Sequence, residues 1–179
     1  MNPRQPDTIT VAVTRVDGGV TILQVVEKEY EPDGHGGRRL RKEYAVDTAY
    51  VDSLIARYVN DGHWGGGKAP VSWRFVPSDF ATEDRGFRDA WKDDRGLKVG
   101  VDMPKAREIH KERLRVKRLP LMDALDVAYS RADEQGDQSK KREIAAKKQA
   151  LRDVTADPAI EAAQTPEELK NVIPEALRG

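Results

Sequence analysis

Hydrophobic and polar residues alternate from the start of the chain. In "TITVAVTRV", residues 8–16, Ile9, Val11 and Val13 fall on one side and Thr8, Thr10, Ala12 and Thr14 on the other. That is the period of a half-buried strand. "DGG" at 17–19 supplies residues that tolerate positive φ, and "VTILQVVEKEY" resumes extended character, so the pattern predicts a β-hairpin. The Pro and Gly content of "EPDGHGGRR", 31–39, predicts a loop. The period then lengthens. Tyr50, Val51, Leu54, Ile55, Tyr58 and Val59 form a helical stripe within "DTAYVDSLIARYVNDG", with Asp47 as N-cap and Gly62 just past the end, and this helix is expected to lie across the hairpin. In "VSWRFV", Val71, Trp73 and Phe75 alternate against Ser72 and Arg74, predicting a third strand with an aromatic face. Residues 77–101 give weaker signals: a short helical turn with Phe87 and Trp91 on one side, and a short strand in "GLKVGV".

From Asp102 onward helix formers dominate. Asp102 caps a helix that takes Pro104 in its first turn, where proline costs little, and the pattern runs to about Asp133 before "EQGD" breaks it. "SKKREIAAKKQALRDV" carries a second helix, and the short connection predicts an αα-hairpin over 103–154. "DPAIEAA" and "TPEELKNVIP" start twice more with cap signals, Thr165, Pro166 and Glu168 forming a capping box. The expected fold class is α+β. A small domain of hairpin, helix and strand spans 1–101, and a helical hairpin with short C-terminal helices spans 102–179.

The helix over 102–133 poses the chemical question. Between Lys105 and Arg118 it sets seven Lys or Arg against two Glu. At about 100° per residue, Leu114, Leu121, Leu125, Ala128 and Ala132 form one narrow stripe. Arg107, Lys111, Arg115 and Arg118 flank it on one side, Arg113 and Lys117 on the other. This is a seam with charged shoulders, expected to be solvated, with Pro120 kinking the helix near Val116. A nucleic-acid helix would gather its cations on one face among Ser, Asn or aromatic residues; here Glu108 and Glu112 interrupt them. A small nucleic-acid-binding or regulatory protein using 105–118 is therefore the alternative reading, and an apolar seam for self-association or for a protein partner the preferred one.

Composition narrows the chemistry further. The 179 residues carry 31 basic and 31 acidic side chains, so an electrostatic partner must be met by a local patch. Zero cysteines exclude disulfides and thiolate metal sites. No apolar run is long enough to cross a membrane, and "MNPRQPDTIT" lacks the features of a signal peptide. "GHWGGGKA", 62–69, approaches the phosphate loop G-x-x-x-x-G-K-[ST]. Ala69 stands where a hydroxyl is required, and a strand follows instead of a helix. His35, His63 and His110 show no ligand spacing, and none of the five serines sits in a G-x-S-x-G elbow. The carboxylates alternate with Lys and Arg along helices, the pattern of surface ion pairs. Phe87, Trp91, Trp73 and Trp64 could stack a ligand but favour packing. No cofactor, metal or catalytic residue is expected.

The order of segments carries a resemblance. "VTRVDGGVTIL", "FVPSDFATEDRGFRDAW", "VDMPKAREIHKERLR", "LPLMDALDVAYSRADEQGD" and "KKQALRDVTADPAIEAAQTPEELKNVIPEAL" resemble a group of short proteins of tailed phages and prophages encoded beside tail-fibre genes. The C-terminal part is similar in layout to phage tail assembly chaperones and tail-fibre accessory proteins. The resemblance covers roughly residues 8–26 and 70–177 and is most specific in "FRDAW", "DMPKAREIH" and "KQALRDVTADPAI"; "EPDGHGGRRLRKEYAV" and "HWGGGK" depart from it. It implies no catalytic residues. It implies a non-enzymatic structural component or assembly factor that docks a tail-fibre or baseplate protein, in the virion tail or in the host cytoplasm during assembly. Leu114, Leu121 and Leu125, with Phe87 and Trp91, are the candidate partner-binding residues, and a homo-oligomer is compatible with the same seam.

Overall fold

Val11 and Val13 draw one face of the first strand under a helix, and the rest of the N-terminal unit is arranged around that strand. The computed structural model describes residues 7–35, 37–64 and 68–178, and the chain divides into two compact units, Met1–Gly100 and Val101–Gly179. In the first unit β1 (Asp7–Arg15), β2 (Val20–Pro32), β3 (Arg38–Glu43) and β4 (Pro70–Val76) form an antiparallel sheet in the order β3-β2-β1-β4. The hairpin and the third predicted strand are present. β3 was not foreseen. Five of its six residues, "RRLRKE", are charged, so it has no hydrophobic alternation; only its ladder to Lys28–Pro32 makes it a strand, with Arg38 over the Tyr30 ring at 3.9 Å.

Helix α1 (Thr48–Asn60) starts where Asp47 accepts a hydrogen bond from the Tyr50 N–H at 2.8 Å, and its Val51 and Ile55 pack on Val11, Val13 and Val25. Trp73 joins this face, its Nε1 donating to Asp52 at 2.6 Å, with Phe75 edge-on at 5.2 Å. The other face of β1 is not the wetter side that alternation suggests: Thr10 and Ala12 are buried as well. Segment 77–99 covers it, contributing Phe80, Phe87, Ala90, Trp91 and Val99 to the core. Phe87 and Trp91 flank one 3-10 turn at Arg88–Ala90, after which β5 (Trp91–Lys92) pairs with β6 (Gly100–Val101). With 2% and 7% exposure, Phe87 and Trp91 serve this core; they are not placed to meet a partner.

Two polar devices fix the irregular parts. The Arg15 side chain folds back over the first hairpin, donating to both carboxylate oxygens of Asp17, to the Val20 carbonyl and to Thr21 Oγ1. A Cβ on Gly19 would overlap that guanidinium, so a side chain there would push Arg15 out of these hydrogen bonds. On the covered face Arg74 donates through Nε and Nη2 to Asp93, both at 2.7 Å, and through Nη2 to the Gly96 carbonyl. Asp93 also accepts from the Arg95 N–H at 2.8 Å, and Arg95 sits at φ +62°, a strained conformation for a side-chain-bearing residue.

The second unit is helical: α2 (Met103–Glu134), α3 (Gln138–Asp153), α4 (Pro158–Ala162) and α5 (Pro166–Asn171). Asp102, Asp137, Asp157 and Thr165 cap the four starts through their side chains, and Gly136 takes φ +70° after α2. In the expected capping box Glu168 N–H donates to Thr165 Oγ1, while its carboxylate reaches the Gln164 N–H, one residue before the cap. α2 runs through Pro120 without interruption. The glycine loop read at 62–69 lies partly outside the described residues, at 65–67, as do residues 1–6 of the stretch weighed as a signal peptide, and Gly36 of the 31–39 loop.

Arg74 and the nearby Arg95 N–H hold the 3% exposed Asp93 carboxyl below the ordinary carboxylate range. The native state then binds that proton less readily than the unfolded chain, so the pair's contribution is complete above pH about 4 and is lost as the pH falls below it. Asp93→Ala should destabilise the first unit by about 3 kcal/mol, because Arg74 loses a buried partner. Asp93→Asn should flatten the melting temperature between pH 5 and pH 3, as read by circular dichroism.

Candidate functional site

The basic helix is the site that the sequence singles out, and its geometry follows from which cations face inward. The buried positions of α2 are Ala106, His110, Leu114 and Ala132, with Arg118, Met122, Leu125 and Ala128 half-buried between them. Of the predicted seam, Leu114 is 1% exposed and Leu125 is partly covered, both within the unit itself. Leu121 lies at the rim, 40% exposed. The seam is therefore closed mainly by the chain's own later helices, and Leu114 is not available to a partner. α3 lies along the second half of α2: Ile144 and Leu151 are buried there, and Lys141 and Lys148 pair with Asp133 and Asp126.

The cations on the inner flank are not solvated shoulders. Arg107 donates through Nε to the Ile160 carbonyl at 3.2 Å and through Nη2 to the Ala163 carbonyl at 2.8 Å, at the end of α4. Arg118 donates through Nη1 to the Leu151 and Arg152 carbonyls at 3.3 and 3.0 Å, in the last turn of α3. His110 Nε2 lies 2.9 Å from the carbonyl oxygen of Val172, the residue that closes α5. A carbonyl only accepts, so Nε2 carries the proton. The last carbonyls of a helix have no donors of their own and sit at its negative end. α2 thus sends one donor to the C-terminus of each of the three helices that follow it, and the three donors share one of its faces.

Most of the remaining cations are also engaged, Lys117 standing exposed. Lys111 bridges Glu108 and Glu161, both at 2.9 Å, and Arg115 pairs with Glu112 at 2.9 Å. Lys105 and Arg113 have partners too. Sequence reasoning missed His110 as an inward residue because the wheel treats histidine as polar; its spacing of four from both Ala106 and Leu114 is the signal that would have placed it.

The opposite side of α2 carries exposed apolar residues among its charges. Val116, Leu119 and Val127 are 59%, 57% and 53% exposed around Pro120. The proline supplies no N–H to the Val116 carbonyl, so the helix has a weakened turn under this patch. Elsewhere, Trp73 is hydrogen-bonded to Asp52, Trp64 packs on the sheet–helix core, and His63 stands edge-on to Tyr58. Among the described residues no group of three or more His, Cys, Asp or Glu could hold a metal ion, and no helix is long and apolar enough to cross a membrane.

Comparison with protein-family models, with curated proteins and with solved structures found no match to the chain.

Arg118→Met keeps most of the stem volume and removes the donor, so it should cost about 1.5 to 3 kcal/mol in urea unfolding while leaving the helix content of the native protein intact. Burial, opposed by the Val172 contact and reinforced by Arg113 and Lys117, holds the His110 pKa below the ordinary imidazole value. The unfolded chain takes up that proton first as the pH drops through about 6.5, so the native state loses stability on acidification. In His110→Gln, whose amide still donates, that loss between pH 7.5 and pH 5.5 should be smaller than in the parent chain, measured by urea titration at each pH.

Proposed function

We propose that the chain is a non-enzymatic component or assembly factor of a bacteriophage tail that docks a tail-fibre or baseplate protein. The observation that carries this reading is the exposure of Val116, Leu119 and Val127, three apolar side chains on a helix whose other face is occupied by its own unit. Exposed apolar clusters of this kind mark protein contacts. The sequence resemblance supplies the kind of partner. Burying one such side chain is worth about 1.5 to 3 kcal/mol, enough for three to anchor a specific complex.

The geometry also weighs against the alternative on the basic helix. Arg107, Lys111, Arg115 and Arg118 are engaged with carbonyls and carboxylates, and a phosphate backbone would have to compete for them.

Two measurements test the proposal. Mass spectrometry of purified particles of the source phage should find the chain if it is a retained component, and find it only in assembly intermediates if it acts transiently. Val116→Ser, Leu119→Ser and Val127→Ser combined should leave helix content unchanged and abolish co-purification with the fibre or baseplate protein; undiminished co-purification would refute docking through this face. Tight, salt-resistant duplex binding in a mobility-shift titration would favour the nucleic-acid reading instead.

A further inference from the structure

The sheet of the first unit has edges that differ in how they are protected. β3 is guarded by charge, with five of its six residues ionised. β4 opens with Pro70, carries Arg74 and is offset from β1 by an irregularity at Arg15. These are the usual devices against unwanted strand pairing. β3, however, covers only the second half of β2: their ladder runs from Lys28 to Pro32, and the Tyr44 N–H reaches the Glu27 carbonyl at 2.8 Å. From Val20 to Val26 no strand pairs with the outer side of β2 among the described residues, and beyond the Val20 carbonyl, which accepts from Arg15 Nη1, this side is a second, free edge. Its sequence, "VTILQVV", has no charge, no proline and no glycine.

The hairpin fixes what this edge presents. Arg15 N–H bonds to the Gly19 carbonyl, and from there antiparallel alternation turns the backbone groups of Thr21, Leu23 and Val25 toward β1 and those of Val20, Ile22, Gln24 and Val26 outward. Side chains alternate as well. Thr21 and Leu23 line an open cleft of about 380 Å³ on the α1 face with Tyr58, Trp64 and Lys68. Ile22 and Gln24 line one of about 690 Å³ on the opposite face with Glu83, Arg85, Arg88 and Asp89. Those four charges have no ion pair among the described residues.

We propose that two copies of the chain join along Val20–Val26, antiparallel, making one continuous sheet across a two-fold axis at Leu23. In this register Ile22 faces Gln24 and Leu23 faces Leu23, while Val20, whose carbonyl Arg15 already holds, faces Val26 at the two ends. Ile22 and Gln24 then exchange backbone hydrogen bonds that neither makes alone. The second copy is the occupant favoured by charge. An isologous contact sets a patch against itself, which suits a cleft carrying two cations and two carboxylates side by side. The inference does not depend on the tail reading.

The chain has no cysteine, so a single Leu23→Cys gives a clean probe. Opposed non-bonded residues in an antiparallel pair stand about 4.5 Å apart at Cα, within disulfide reach. Light scattering should give twice the 20.1 kDa chain mass. Mild oxidation should cross-link Leu23→Cys and not Leu40→Cys on the charged edge. Ile22→Pro removes an outward donor without touching the β1 ladder, and should return the mass to one chain with unchanged circular dichroism. If that variant fails to fold, the cross-link decides. A single-chain mass up to the solubility limit would overturn the proposal and leave the edge to an extended segment of another protein. A doubled mass without the Leu23 cross-link would overturn it by placing the contact elsewhere.

Discussion

The last carbonyls of a helix have no donors within it and sit at its negative end, so a donor from elsewhere in the unit fixes that end in place. The second unit has three such ends within about sixty residues of α2, and α2 meets all of them. Arg118 serves the end of α3, Arg107 that of α4, and His110 that of α5. Placing long donors within an apolar stripe sets the rest of the arrangement. Leu114 and Ala132 fill the space between the donors, and Lys141 and Lys148 fasten α3 from its other side. The short helices α4 and α5 have too few residues to be stable alone. Their caps at Asp157 and Thr165 hold one end of each, and the α2 donors hold the other.

Much of this was legible in the sequence. The Ile9, Val11 and Val13 alternation, the α1 stripe and the Asp102 and Thr165 caps are local signals, and each element formed where its signal stood. What stayed hidden depends on long-range partners. Charged β3 becomes a strand only because β2 continues past the hairpin. Thr10 and Ala12 are buried because segment 77–99, which has little periodicity, folds over them under the Arg74–Asp93 pair. On α2 the stripe was placed correctly at Leu114 and Ala132 but not at the exposed Leu121, and the charges beside it were misjudged. A helical wheel shows that Arg107 and Arg118 lie near the seam and cannot show that carbonyls fifty-three and thirty-four residues away await them.

The surfaces left for other molecules are accordingly not those that periodicity highlights. Leu114, Phe87 and Trp91 are consumed by the units that contain them. The open positions include Val116, Leu119 and Val127, on the side of α2 that the wheel assigns to solvent, and the backbone of Ile22 and Gln24, which no side-chain pattern reports. An apolar residue on a polar face stands out only after the structure has accounted for the other face.

The Arg15–Gly19 contact carries a consequence for how this hairpin can vary among descendants of the sequence. Any side chain at position 19 would collide with a guanidinium already fixed by Asp17, Val20 and Thr21, and without Arg15 that space would stand empty beside a glycine costly to keep for its flexibility. A change at 19 would cost the hydrogen bonds of Arg15. Lineages should keep arginine and glycine as a linked pair or exchange both together, so that covariation between 15 and 19 is the inherited trace of a side chain folding back across its own turn.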